Sequence, residues 1–270
     1  MTWSIRARAV VLVPVILVWT GIMAVLSLVF SLVDRNGALQ HGCARTWALW
    51  IIRVSGARLR VLRGTALLDR GPLIFVSNHQ SFFDIFALLA CLPVQFRFLA
   101  KESLFRVPFL GWHLRRAGHV PVDRANPRVA YRSLQSAVEQ IRAGTSVLIF
   151  PEGSRSETGQ VGSFKKGSLR LALASGAPVV PVAIYGTSLI LPKGSMWISP
   201  GDIDVCIGER IRPPADTAKS QEKENFVETV HAEVARLYRE LESARRNAAT
   251  GLDLIPAGST LPDASVRSRK

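Results

Sequence analysis

Cysteine is scarce: 270 residues hold three, Cys43, Cys91 and Cys206, widely spaced, with no C-x-x-C and no histidine at zinc spacing. That excludes a disulfide scaffold, speaks against a zinc site and fits a reducing compartment, with each thiol read as a small buried hydrophobe. Acidic residues are also few. Twenty Asp and Glu face 34 Lys and Arg, for a net charge of +14, so the partners expected are anionic: nucleic acid, an acidic bilayer or phosphorylated molecules. No helix-turn-helix pattern and no basic stripe with stacking aromatics accompanies the charge, which sets nucleic acid aside. There is no G-x-S-x-G elbow to present a nucleophilic serine, and there are no internal repeats.

What is present begins with a long apolar run. Ala9 to Val33 is 25 residues without a charge, which as a helix reaches about 37 Å against a hydrocarbon core of about 30 Å. A cleaved signal peptide competes with a retained anchor here. The run is longer than a signal core and lacks a small-x-small site, so the reading is an anchor. Trp47, Trp50, Ile51 and Val54 then fall on one helical stripe, as in an interfacial helix, although Leu49 and Ile52 also fit a buried one. Flanking charges nearly tie. The expected arrangement is a helical hairpin dipping into the cytoplasmic leaflet, with both ends on the cytoplasmic side.

The organisation expected is a membrane anchor and interfacial helix over 1–56, a soluble domain over 57–244, and a disordered basic tail over 245–270. Within the domain, alternation at Arg58 to Arg63 and the apolar runs 73–76, 96–100, 147–150, 179–185 and 203–207 read as strands. Asn126-Pro127 opens a helix faced by Ala130, Leu134, Ala137, Val138 and Ile141, and Phe226, Val230, Val234, Leu237 and Leu241 face a closing one. Pro181 inside the 179–185 run predicts an edge strand or a bend.

Two strand ends carry chemistry. Val76 to Asp84 reads V-S-N-H-Q-S-F-F-D, a strand-to-helix corner in which Asp84 can return to one nitrogen of His79. The other nitrogen is then free to take a proton, and with no protein nucleophile the hydroxyl belongs to a substrate. By itself the spacing equally suits a closed turn with a capped helix. Phe150 to Ser156, F-P-E-G-S-R-S, combines Gly153, which lets backbone N–H groups approach a ligand, the Ser154 hydroxyl, and Arg155 with its bidentate fork for phosphate. Glu152 is placed to hold a substrate hydroxyl or to fix arginines, and an internal Glu–Arg pair is the plainer alternative. Lys101 follows one strand directly, and Arg124 ends the short strand of G-H-V-P-V-D-R at 118–124. The apolar stretch at 107–112 is suited to core packing or to lipid.

In this order N-H-Q-S-F-F-D, G-H-V-P-V-D-R, F-P-E-G-S-R and V-V-P-V at 179–182 resemble the four blocks of the glycerolipid acyltransferases, and most nearly the bacterial 1-acyl-sn-glycerol-3-phosphate acyltransferases. A-K-E-S-L-F-R-V-P-F-L-G-W at 100–112 resembles that group too, so the likeness spans roughly residues 55–210. It implies an α/β fold, a single mixed-sheet domain with flanking helices behind the membrane hairpin. It implies that His79 is a general base on the sn-2 hydroxyl of lysophosphatidic acid, oriented by Asp84. It implies substrate binding by Arg124, Glu152, Gly153, Ser154, Arg155 and Lys101, and a part for Pro181 in the acyl-donor site. Ser154 stands where the family commonly has threonine. No metal or cofactor is implied. The donor is acyl-coenzyme A or acyl-acyl-carrier protein, the surface an anionic membrane, and the location the cell inner membrane with the site facing the cytoplasm. The alternatives are another lysolipid acceptor, such as lyso-ornithine lipid, or a non-catalytic lipid-binding scaffold.

Overall fold

The computed structural model describes residues 3–34, 36–63, 71–123, 127–165, 167–215 and 217–250, excepting the side chains of 3–9, 127–130 and 249–250. Arg124, Lys166 and the tail beyond 250 lie outside these residues.

Seven strands form one sheet: β1 (Ala57–Arg63), β2 (Ile74–Ser77), β3 (Phe96–Lys101), β4 (Val120–Val122), β5 (Ser146–Ile149), β6 (Val179–Tyr185) and β7 (Gly201–Ile207). Their spatial order is β1-β7-β6-β2-β5-β3-β4. Only β6 and β7 run antiparallel, so the sheet is mixed. Helices cover both faces of its centre, and β2 and β5 are accordingly buried at every position. The two-residue period sorts their side chains. Phe75, Leu148, Val180 and Val182 meet α2 (Ala38–Val54) and α3 (Phe83–Cys91) on one face. Ile74, Val76, Val147, Ile149 and Val179 meet α5 (Pro127–Arg142), α6 (Arg170–Ser175) and α8 (Ser220–Thr250) on the other.

The register places the site. β2 lies between β5 and β6, with Val76 opposite both Ile149 and Pro181. Parallel neighbours release their following loops at the same end of the sheet, so the loops after β2 and β5 emerge side by side. That is where α/β sheets hold ligands.

Pro181 is not on an edge: its strand is flanked by β2 and β7. The antiparallel ladder ends at Val182 opposite Ile207, and an isolated bridge resumes at Val179 opposite Ile211. Between them the Pro181 carbonyl accepts from Gly208 N–H at 2.8 Å. The missing N–H therefore faces a break in the ladder, where the sheet asks for no donor.

At the N-terminus α1 (Trp3–Phe30) includes Val10–Phe30, long and apolar enough to cross a membrane by length and composition. α2 runs back along it: Trp50 stacks on Trp19 with centroids 4.9 Å apart, and Trp47 Nε1 donates to Thr20 Oγ1 at 2.9 Å. Trp47 also meets Phe86 of α3 edge-on. Ala48, Ile51 and Ile52 are buried. The tryptophans of α2 thus pack inward, and the buried alternative describes this helix better than a lipid-facing stripe. α4 (Leu110–Arg116) closes on α1 through a 2.6 Å hydrogen bond between His113 Nδ1 and Ser27. Finally, α8 runs past the boundary expected at residue 244 to Thr250, and its Arg245 pairs with Asp202 and Asp204 of β7.

Candidate active site

The corner after β2 is built from its backbone outward. Asn78, fully buried, exchanges two bonds with the backbone of Ile184, 2.9 and 2.8 Å, as though extending the sheet by one side chain. The chain then turns into α3, whose first turn holds Asp84.

Asp84 is fully buried, and its carboxylate collects its partners from two segments. Oδ2 accepts Gln80 N–H at 2.6 Å, Ser81 N–H at 2.8 Å and His79 Nδ1 at 2.7 Å. Oδ1 accepts the hydroxyl of Thr187 at 2.6 Å. A carboxylate only accepts, so Nδ1 carries the ring proton and the lone pair lies on Nε2. Among the described residues nothing bonds Nε2. Hydrogen bonds to an ionised group contribute about 1.5–3 kcal/mol each, which is how a buried carboxylate is tolerated here.

The imidazole, 15% exposed, stacks on Phe150 with centroids 4.0 Å apart and planes 15° from parallel. Two oriented sides, carboxylate and ring face, leave it one direction to act. A proton acceptor held at the strand ends with one nitrogen unspent is what removal of a substrate hydroxyl proton requires.

The loop after β5 locks to the same corner. Glu152 Oε1 accepts His79 N–H at 2.9 Å, and Ser156 N–H donates to the His79 carbonyl at 2.7 Å. Burial pushes the Glu152 carboxyl above its ordinary range, and the backbone bonds from His79 and Gly162 oppose this only in part. Glu152 therefore fastens two loops together; the Glu–Arg pair considered from sequence does not form. Arg155 instead lies over the Phe82 ring, 4.0 Å from its centroid, and makes no hydrogen bond or ion pair among the described residues. The half-buried guanidinium thus keeps its donors uncommitted within the protein while an aromatic ring supports it.

Gly153, at φ +83°, turns the loop, and Ser154 is exposed beside it. Lys101 is exposed at the end of β3, two strands from β2. Arg124 follows β4 outside the described residues. Pro181 is buried opposite Val76, upstream of the strand ends where His79 and Glu152 meet.

The sequence reading missed Thr187, Gln80 and Phe150. Thr187 opens α7 (Thr187–Ile190), 103 residues from Asp84. The turn that delivers it passes Gly186 at φ +93°, where any Cβ would run into the Asp202 carbonyl. Gln80 Nε2 donates to the Gly159 carbonyl, which also takes Tyr238 Oη–H of α8 at 2.6 Å. Only the G-T pair directly after β6 signalled any of this.

Comparison with known proteins shows which family the chain resembles. The family model described as Acyltransferase matches residues 54–185. A chloroplastic 1-acyl-sn-glycerol-3-phosphate acyltransferase of Brassica napus is 43% identical over 141 residues, 52% of this chain and 41% of the relative. The chain thus spans less than half the length of the plant and algal relatives to which it is matched most strongly. The 1-acyl-sn-glycerol-3-phosphate acyltransferase of Pseudomonas aeruginosa is 34% identical over 204 residues, 73% of this chain and 77% of the relative. The crystal structure of a 1-acyl-sn-glycerophosphate acyltransferase from Thermotoga maritima superposes with a TM-score of 0.75 at 28% identity, over 88% of this chain and 95% of that one.

Proposed function

The chain belongs to the acyltransferase family, and from that membership we propose that it moves a fatty acyl group from a thioester to the sn-2 hydroxyl of 1-acyl-sn-glycerol-3-phosphate, giving phosphatidic acid. His79 Nε2 takes the hydroxyl proton as the oxygen attacks the thioester carbonyl carbon. The tetrahedral oxyanion collapses, the C–S bond breaks, and the imidazolium returns its proton to the departing thiolate. Asp84 keeps Nδ1 protonated and stabilises the imidazolium. No acyl-enzyme is needed. The observation that carries this reading is the 2.7 Å bond from His79 Nδ1 to a saturated, buried Asp84, with Nε2 left open.

Arg155 takes the acceptor phosphate, aided by Arg124 and Lys101; its lack of a hydrogen bond or ion pair among the described residues supports this. Glu152 holds the His79 backbone, and Gly153 and Ser154 form the floor of the same loop. Pro181 shapes the donor side from within the sheet. The donor is acyl-coenzyme A or acyl-acyl-carrier protein, both anionic and suited to a chain of +14.

The domain sits on the cytoplasmic face of the inner membrane, with α1 and α2 as a hairpin in one leaflet. The covered stripe of α1 supports this. Met23, Ala24 and Ser27 are buried, Trp19 and Thr20 are engaged by α2 and Ser27 by His113 of α4, so one narrow stripe of the apolar helix is covered, while Val11, Val15, Val18, Ile22 and Val29 remain exposed. A helix so flanked lies along the domain and turns its other face to lipid.

The test offers labelled acyl-coenzyme A and acyl-acyl-carrier protein to lysophosphatidic acid, lysophosphatidylcholine and lyso-ornithine lipid in vesicles. Phosphatidic acid is the expected product. Turnover of another acceptor alone would keep the chemistry and replace the substrate; no turnover with any pair would overturn the proposal.

A further inference from the structure

Phe109 is the one non-glycine residue among those described with a positive φ, 62° with ψ −55°. The value marks a three-residue turn, closed by Leu110 N–H donating to the Pro108 carbonyl at 2.7 Å, a rare and strained conformation for a bulky residue. A five-residue turn encloses it. Gly111 N–H donates to the Val107 carbonyl at 2.7 Å, and a Cβ on Gly111 would run into the Phe105 carbonyl. Phe105 itself is buried and anchors the segment.

The strain is not relieved by burying what it displays. Val107, Phe109 and Trp112 are 44%, 47% and 52% exposed, and the two aromatic rings meet each other edge-on at 5.2 Å. Strain of this kind persists only where surrounding structure imposes it, and here it turns an aromatic pair to the outside.

We propose that Val107–Trp112 is a docking wedge for an anionic bilayer surface, entering at headgroup depth beside α1. Three observations choose lipid as the occupant. The wedge is continuous with the apolar helix, since His113, one residue past Trp112, bonds Ser27, three residues before the end of α1. Three residues are about 4.5 Å of helix rise, so the wedge stands near the polar end of the apolar segment. Its rim is cationic: Arg115 and Arg116 on α4 are exposed and have no ion-pair partner among the described residues. Aromatic side chains with neighbouring cations are the composition that seats at an acidic lipid interface.

The wedge also follows β3 after one short 3-10 helix, Glu102–Arg106, and the C-terminal end of β3 lies at the same end of the sheet as those of its parallel neighbours β5 and β2. Seating it would bring the mouth of the site to the lipid surface, so a lysolipid would have to rise only partly from its leaflet. This consequence rests on the acyl-transfer reading; the docking itself does not.

Two experiments separate them. The three native cysteines are buried, so a single introduced cysteine takes an environment-sensitive fluorophore selectively. Full-length protein labelled through Trp112→Cys, Val18→Cys or Glu228→Cys is reconstituted in phosphatidylglycerol-rich vesicles containing shallow spin-labelled lipid. The labels at 112 and 18 should be quenched and that at 228, on α8 across the sheet, should not. Quenching at 18 without quenching at 112 overturns the wedge, whatever the reaction is. In the second, Phe109→Ser/Trp112→Ser should lower kcat/KM several-fold for lysophosphatidic acid in vesicles and leave a monomeric short-chain acceptor unaffected. An equal loss on both acceptors would overturn docking in favour of a purely structural role.

Discussion

Two of the charge clusters in this molecule, one at β1 and β7 and one in the corner after β2, are built on opposite plans. At the outer side of the sheet, Arg58 and Arg60 of β1 reach Asp202 and Asp204 of β7 at 2.6 and 2.8 Å, and Arg245 of α8 contacts both carboxylates. Each carboxylate there lies between two guanidinium groups. Burial acts to raise the Asp202 carboxyl, but the bonds from Arg245 and Arg58 outweigh it and hold it below its usual range. In the corner after β2, Asp84 is as thoroughly bonded, yet one of its partners is an imidazole with a second nitrogen unspent. A closed set of charges fixes strands and a helix. An open one can do proton chemistry. The number of ion pairs distinguishes nothing; the valence left over does.

The comparison breaks most visibly at Asp84. Asp84→Asn keeps the shape but no longer dictates which nitrogen of His79 is protonated, and turnover should fall by roughly 10³ or more. Thermal stability should change far less. Arg245→Ala is its counterpart: with Asp204 almost fully buried, losing one partner should cost about 2–4 kcal/mol of stability while kcat of the folded fraction stays unchanged. The stability gap between Arg245→Ala and wild type should narrow as pH falls below the usual aspartate range. Asp202, whose folded value is depressed, gives its pairing energy above that range and loses it on protonation. Calorimetry with single-turnover assays checks both variants, and a catalytic defect in Arg245→Ala would erase the distinction.

Thr187→Val sharpens it. The hydroxyl does not touch a reacting atom but completes the Asp84 shell, so kcat should fall about tenfold with KM little changed, and Thr187→Ser should restore it. A variant that raises KM alone would mean that Thr187 serves substrate binding instead. The smallest effect is expected at Glu152. Its folded carboxyl titrates higher than the unfolded one, so stability decreases as pH rises through that interval and the buried charge costs most at neutral pH. Glu152→Gln keeps the bond from His79 N–H and should be slightly more stable at pH 7, by under about 1 kcal/mol, with the advantage vanishing near pH 4. Melting curves at the two pH values check the sign.

Much of this could be read before the fold was seen, for a definite reason. Strand runs and helix faces are local periodicities, and the burial of Phe226, Val230, Val234, Leu237 and Leu241 follows from spacing alone, except that Phe226 retains slight exposure. The His79–Asp84 bond spans five residues and is local too. Features that depended on distant segments were not legible. Thr187 reaches Asp84 from another strand end, Arg155 prefers the Phe82 ring to Glu152, and Pro181 is central because the opposing ladder breaks where it lacks a donor. The tryptophans of α2 show the same limit: a stripe in sequence tells which side is apolar, and α1 and α3 decide what covers it.

The measurement that bears most directly on the open-valence account is phosphatidic acid formation by His79→Ala at a folded fraction matched to wild type. His79 contributes one ring bond to Asp84 and a stack on Phe150, so the variant should fold, and its rate should fall about 10²–10⁴-fold with acceptor KM nearly unchanged. A folded His79→Ala protein turning over at close to the wild-type rate would contradict the account and return the corner to a structural cap.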